Sequence, residues 1–251
     1  MTVPESPFHR AKHHERELLL GAATDVIEAS FGRVVLNREF PSALSHNVIL
    51  VDADVTVKVL LEESEAIRRR AGIDWCAIWV DEANWAESLR PGLEAAGHNG
   101  STDLYMALAE SPEKTSDTPV ERVTFEEIRP SIEAFWRKSG KSDMGARALA
   151  GRATTYRRVC EVSHFGLREG NSYASFCEVY RRQATGQIDS VITDRASQGR
   201  GYASAVVIEA CRYLQGAGCD LIFLCTDAGD WPQKLYRRLG FSDIGRSYTF
   251  E

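Results

Sequence analysis

The sequence predicts an α/β fold, with strand-like and helix-like segments alternating along 251 residues. Three observations carry that expectation. Short apolar runs such as Val48-Ile-Leu-Val51 and Leu221-Ile-Phe-Leu224 have strand length and composition, and each leads into a segment of helical periodicity. A loop with two glycines, Gln198-Gly-Arg-Gly-Tyr-Ala203, joins a strand signal to an amphipathic segment. Residues 47–108 also repeat the strand, helix, strand, helix, strand order of residues 189–250.

Taken in order, residues 11–29 read as a helix through Leu18, Leu19, Ala22, Ala23 and Ile27. Residues 47–51 read as a strand. Residues 56–70 read as a helix ending in Arg68, Arg69 and Arg70, where cations suit the negative end of the dipole. A strand at 75–80, a helix at 84–96 and a strand at 103–108 follow. The run Glu110-Ser-Pro-Glu-Lys-Thr-Ser-Asp-Thr-Pro119 is polar and proline-bounded, a linker composition. It divides the chain into residues 1–110, a linker at 111–119 and residues 120–251. Beyond it come a strand at 121–125, helices at 126–140 and 143–158, and strands at 161–168, 172–182 and 187–193. Ala203, Val206, Val207, Ala210 and Cys211 then fall at helical spacing.

Composition bounds the function. Thirty Lys and Arg against 36 Asp and Glu give a formal net charge of −6. An acidic chain gains nothing from counterion release, so nucleic acid is not the expected partner. The balance instead favours a cationic or amine substrate through long-range steering. No apolar run reaches bilayer length, so no membrane association is expected. The first twenty residues lack the apolar stretch of a secretory signal, and a cytoplasmic location is expected. None of the six cysteines forms a Cys-x-x-Cys pair, and they read as buried free thiols. His9, His13 and His14 lack spaced Cys or carboxylate partners, so they read as a solvated helix face and no metal site is expected.

The glycine loop carries the chemistry. Glycines at 199 and 201 allow a sharp turn and close backbone approach to a ligand. The first amides of the following helix lack intrahelical partners, and with the helix dipole they form an anion site suited to phosphate. Gly199-x-Gly201-x-x-Ser204 falls just short of the dinucleotide fingerprint, and too little chain follows it to build the parallel sheet that fingerprint needs. Gln198-x-x-Gly201-x-Ala203 instead resembles the acetyl-CoA loop of the GNAT superfamily of N-acetyltransferases, R/Q-x-x-G-x-G/A. Downstream, Tyr236-Arg-Arg-Leu-Gly240-Phe241 resembles that superfamily's second signature, Y-x-x-x-G-F. The resemblance is specific over about residues 188–250 and looser from about 119.

The resemblance implies a GNAT fold, a mixed central sheet flanked by helices, with acetyl-CoA as co-substrate and an amine of a small molecule or peptide as acceptor. It implies that the strand before the loop splays from its neighbour, so that the backbone of Val191, Ile192 and Thr193 can pair with the pantetheine arm. Gln198, Gly199, Arg200, Gly201, Tyr202 and Ala203 would receive the pyrophosphate. Asp230 reads as a helix N-cap, at a place where relatives more often carry asparagine. Tyr236 would protonate the leaving thiolate. Asp189 matches the region of the family's strand carboxylate, and Glu178 is the other candidate base. No cysteine stands in a nucleophile setting, so direct attack in a ternary complex is expected. Ala77-Ile-Trp-Val-Asp81 ahead of Trp85 rhymes with Phe223-Leu-Cys-Thr-Asp227 ahead of Trp231. The first half accordingly reads as a degenerate GNAT-like domain in tandem with an active one, although any two βαβα segments share the outline of that pattern. A non-catalytic acyl-CoA-binding or sensor module is the alternative, and intact Gln198, Gly201 and Tyr236 favour the enzyme.

Overall fold

The computed structural model describes residues 5–111 and 118–251. Helix α1 spans Pro7–Ala22, with Ser6 capping its first turn and Pro7 at N1, where a missing N–H costs nothing. The helix expected over 11–29 therefore begins earlier and stops at Ala22. The β-branched pair Val26-Ile27 belongs instead to β1 (Asp25–Ala29), which turns back into β2 (Gly32–Leu36) as an antiparallel hairpin. Glycine is required at position 32: φ is +136°, and a Cβ there would lie 2.4 Å from the Leu50 carbonyl oxygen.

Strand β3 (Val48–Val51), α2 (Val57–Ala71), β4 (Ala77–Val80), α3 (Ala83–Ala95) and β5 (Gly100–Leu108) complete the first half. The expected linker lies mostly on residues 112–117, outside the described residues. The second half runs β6 (Glu121–Val123), α4 (Phe125–Lys138), α5 (Asp143–Gly151), β7 (Glu161–Glu169), β8 (Ser172–Arg182) and β9 (Thr185–Thr193). It ends with α6 (Tyr202–Gly216), β10 (Leu221–Asp227), α7 (Pro232–Arg238) and β11 (Phe241–Phe250). Thr124 and Glu127 close a capping box at the start of α4. The single helix expected over 143–158 is α only to Gly151 and tightens to 3-10 over Arg152–Arg158. There the Thr154 and Thr155 hydroxyls donate back to the carbonyls of Gly151 and Arg152, at 2.6 and 2.7 Å.

Among the described residues, eleven strands form one mixed sheet in the order β1-β2-β3-β4-β11-β5-β10-β9-β8-β7-β6. Among these strands the pairs β3–β4 and β9–β10 are parallel and the others antiparallel. The antiparallel pair β11–β5 sits near the middle, with a parallel pair, β3–β4 or β9–β10, next to it on each side. Each half gives its last strand to the other: β11 lies against β4, and β5 lies against β10. Helices α6 and α7 cover one face of the second half over Leu104, Met106, Val179, Ile188 and Leu224. Helices α4 and α5 cover the opposite face around Ile128, Ile132, Ala150 and Phe176. Burial of Val206, Val207, Ala210, Cys211 and Leu214 fixes the orientation of α6, and truncating Leu214 to Ala would cost about 2–5 kcal/mol.

Helix α1 bridges the halves on the α4 face. Its buried Lys12 donates to the Tyr105 phenol at 2.8 Å and pairs with Asp81 at 3.2 Å and Glu15 at 3.4 Å. Tyr105 in turn donates to Glu15, which also accepts from Gln187 on β9. Burial opposes the Lys12 charge, while Glu15 and Asp81 outweigh it and raise its pKa. His14 corrects the expected solvated histidine face. It is buried edge-on to Phe223, and burial lowers its pKa to about 4. His9 and His13 are exposed.

Candidate active site

The parallel pairing of β9 with β10 is short. It runs Leu221↔Thr185, Ile222↔Gly186 and Phe223↔Gln187, and then stops. Beyond that point β10 continues against β5, while β9 continues against β8. Ser190 marks the divergence. Its φ of +50° and the register shift opposite Phe176 and Glu178 form a bulge, which bends β9 away from β10. Val191, Ile192 and Thr193 therefore present backbone that β10 does not pair, as expected of a splayed strand.

A cleft of about 500 Å³ occupies the opening. Val191 and Thr193 form one wall, and Gln198, Gly199, Gly201, Tyr202 and Ala203 close its end. Leu235 and Tyr236 form the other wall. Gly201 caps α6 with φ +81°, and Gly199 has φ +77°. A Cβ at either position would meet no neighbour within 4 Å, so the backbone conformation, not crowding, calls for glycine. The first intrahelical bond is from the Ala205 amide to the Gly201 carbonyl, and no side chain caps the start. The amides of Tyr202, Ala203 and Ser204 thus stand ahead of the ladder at the positive end of the helix.

The loop is braced from outside the cleft. Glu169 accepts from the Ser197 hydroxyl at 2.8 Å and pairs with Arg200, while Asp194 pairs with Lys138 of α4 at 2.6 Å. The Arg200 guanidinium also lies over the Tyr202 ring, 5.4 Å from its centroid. Arg200 therefore braces the loop and is not among the residues lining the cleft. Ile192 faces the α4 side, in a second cavity of about 380 Å³ that shares Thr193 and Gln198 with the first. Asp230 departs from its expected role by one residue. The N-cap of α7 is Trp231, and the Asp230 carboxylate accepts from the Trp231 amide at 2.7 Å.

Of the three expected catalytic groups, Tyr236 lines the cleft, while Glu178 and Asp189 lie on β8 and β9 just before the splay and are not among its lining residues. Glu178 and Asp189 are direct cross-strand partners on β8 and β9. Glu178 is buried and accepts from the Tyr180 phenol at 2.5 Å. Asp189 is half-buried and accepts from the Ser190 amide at 2.5 Å. Burial first, then the Glu178 charge, raises the Asp189 pKa, against the pull of Arg152. Tyr236 is buried on α7 beside Phe241. Burial, then the nearby Asp189 charge, raises its phenol pKa, so it holds its proton at neutral pH. Burial likewise pushes the Cys177 and Cys225 thiols well above their ordinary range, so neither is a ready thiolate.

Sequence reasoning missed Trp231 and Arg238, which line the same cleft. The signal was present: 231, 235 and 238 fall at i, i+4 and i+7, one face of a helix. In the first half, by contrast, β3 and β4 pair along their whole length, from Val48↔Ala77 to Val51↔Val80. The Thr56 hydroxyl caps α2 there. No splay forms at that position.

The architecture is that of two interlocked βαβα halves, one of which opens a cleft between parallel strands at an uncapped helix start. Residues 125–241 match the model of the acetyltransferase (GNAT) family, and this part of the chain is a GNAT domain. No curated protein matches the sequence. Among solved structures, a functionally unknown conserved protein from Staphylococcus epidermidis ATCC 12228 is similar at TM-score 0.71 and 13% identity, over 91% of this chain and 93% of that one. A GCN5-related N-acetyltransferase from Kribbella flavida is similar at TM-score 0.65 and 15% identity, over 96% and 93%. A tandem GNAT protein from the clavulanic acid biosynthesis pathway is similar at TM-score 0.59 and 12% identity, over 99% and 96%. At such identities the likeness is one of fold, and it extends over both halves.

Proposed function

We propose that the chain is an acetyl-CoA-dependent N-acetyltransferase, moving an acetyl group to an amine by direct attack in a ternary complex. The observation that carries this reading is the splay of β9 from β10 beside the uncapped start of α6, with Tyr236 on the facing wall. Residues 120–251 form the catalytic domain and residues 1–110 a degenerate GNAT-like half, joined through 111–119.

The amides of Tyr202, Ala203 and Ser204 hold the pyrophosphate, and the unpaired edge of Val191–193 receives the pantetheine amides. Arg238 at the cleft adds a cation for phosphate. Bound acetyl-CoA supplies a thioester as acyl donor. Asp189 takes the proton of the acceptor ammonium, directly or through water; its raised pKa makes it a stronger base than an ordinary carboxylate. Glu178 is the less available of the two carboxylates, since it is fully buried while Asp189 is only half-buried. Tyr236 donates its phenolic hydrogen to the departing sulfur. For an ordinary phenol at about 10 and a thiol at about 8.5, full transfer is uphill by roughly 2 kcal/mol, and the raised pKa of Tyr236 adds to this, so the hydrogen bond to the developing thiolate matters more than the transfer itself.

Incubation with acetyl-CoA and a panel of amines, followed by thiol release, tests the reading. Amine-dependent release is expected. Tight acetyl-CoA binding with no release from any amine would favour the non-catalytic binding module.

A further inference from the structure

The segment between β6 and β7 holds the candidate acceptor-facing cations, and nearly all of them are accounted for. Arg137 pairs with Glu133 and Asp143, Lys138 pairs with Asp194, and Arg158 pairs with Glu39. Lys141, Arg147 and Arg157 are exposed. Arg152 differs. It is half-buried, and among the described residues no carboxylate oxygen lies within 4.0 Å of its guanidinium.

Its two resolved side-chain bonds go to neutral oxygens: the Leu149 carbonyl at 2.7 Å and the Ser190 hydroxyl at 3.2 Å. A guanidinium has five N–H donors, so most of its capacity is uncommitted. Ser190 is the bulge residue, next to Asp189. The guanidinium lies 5.6 Å from the centroid of the Trp136 ring, whose buried indole N–H has no acceptor among the described residues. A buried donor left without a partner costs free energy, and here the Trp136 N–H stands beside a guanidinium with N–H groups to spare. Nor is Arg152 loose: His46 reaches across from the first half to its carbonyl oxygen at 3.1 Å and to Thr155 at 3.0 Å. The carboxylates whose charges bear on Arg152 are Glu178 and Asp189. Cation and carboxylates thus lie near one another, with Ser190 bonded to Arg152 and adjoining Asp189, without closing into an ion pair.

Resting on the acetyltransferase reading above, we propose that the acceptor is a zwitterion: a small amine that carries its own carboxylate, received by Arg152 and the Trp136 indole while the amine meets Asp189. The planar fork of arginine suits a carboxylate, which accepts two parallel bonds, and the Trp136 ring packs beside it. An amine lacking the carboxylate leaves the Trp136 N–H and the spare guanidinium N–H groups without an acceptor and is discriminated against.

The test is a set of free amino acids, each matched with its decarboxylated amine, assayed by thiol release with the wild type, Arg152→Gln and Trp136→Phe. The readout is the ratio of kcat/KM between the members of each pair. In the wild type at least one amino acid should exceed its amine by about 10- to 100-fold, the range of a charge-assisted pair. Arg152→Gln should collapse that ratio toward one, and Trp136→Phe should lower it in part. A wild-type ratio near one for every pair, or equal losses for both members in Arg152→Gln, overturns the proposal. Calorimetric titration of the preferred amino acid in the presence of CoA separates it from the parent reading. Binding that depends on Arg152 without any acetyl transfer keeps the carboxylate site and removes the enzyme; absence of Arg152-dependent binding, with transfer intact, does the reverse.

Discussion

Replacing Asp189 with Asn tests the base directly, and the structure fixes what else changes. Asn keeps the oxygen that accepts from the Ser190 amide, and Glu178 remains to offset Arg152. What disappears is the proton acceptor. A lysine-like amine of pKa about 10.4 is neutral to roughly one part in a few thousand at pH 7. Without a base, attack waits on that fraction, so turnover at pH 7 should fall by about 10²- to 10⁴-fold. The deficit should shrink about tenfold per pH unit and close near pH 10, where the amine deprotonates unaided. The wild type should instead lose activity on the acid side, as pH falls through the raised pKa of Asp189 and the carboxylate is protonated. The same raised pKa has a stability sign. Above the ordinary carboxyl pKa the folded state binds more protons than the unfolded one, so stability falls as pH rises through the folded pKa, and the deficit persists at neutral pH. Asp189→Asn should therefore unfold at a higher temperature than wild type while acetylating more slowly. Initial rates of thiol release from pH 6 to 10, with thermal unfolding at pH 7, measure both. An unchanged pH–rate profile refutes the assignment and moves the role to Glu178.

Tyr236→Phe keeps the packing on Phe241 and removes the phenolic hydrogen; kcat should fall by roughly a hundredfold or more with acetyl-CoA affinity little changed, and a wild-type kcat would exclude it as the acid. Gly201→Val forces a β-branched residue into φ +81° at a cost of about 1–2 kcal/mol and distorts the amides ahead of α6; calorimetry should find acetyl-CoA binding lost in a protein that still unfolds cooperatively. Titration of the wild type should reach one acetyl-CoA per chain, because β3 and β4 stay paired where β9 and β10 part; two per chain would contradict this. His14, His46 and His164 are buried, with pKa values lowered to about 4, so the unfolded chain binds more protons than the folded one between about pH 4 and 6.5. Each should therefore withdraw stability on the order of 1–3 kcal/mol as pH falls through that window, seen as a falling denaturant midpoint, and a midpoint flat from pH 7 to 4.5 would contradict their burial.

The cleft was legible in the sequence because its parts are local. The glycine conformations at 199 and 201, the start of α6 and the placing of Tyr236 depend on neighbours a few residues away. The carboxylates were legible as a pair because the alternation of β8 and β9 puts Glu178 and Asp189 on one face. Other features depend on partners far along the chain. Ile27 fits the helical spacing of Leu19 and Ala23, and only the pairing of Val26 with Val35 makes it part of a strand. His14 looks solvated beside His13 until Phe223 covers it. Arg152 is one of several cations between β6 and β7, and only tertiary packing separates it from Arg137 and Lys138, which are paired, and Lys141, which is exposed. The exchange of β5 and β11 leaves no local trace, since either strand's apolar pattern satisfies either neighbour.

That exchange bears on how the protein is made. A ribosome delivers the first half early, yet the slot between β4 and β5 has to wait for β11, which follows the whole of the second half in the chain. Until then two strand edges stay open, and α1 has only part of the surface it will cover. Residues 1–110 should therefore not mature alone, and the nascent first half is the stage most in need of a chaperone. A break within 111–119 should leave two pieces that are each unfinished but that fit each other, so co-expressed halves should recover a folded protein where neither half alone does.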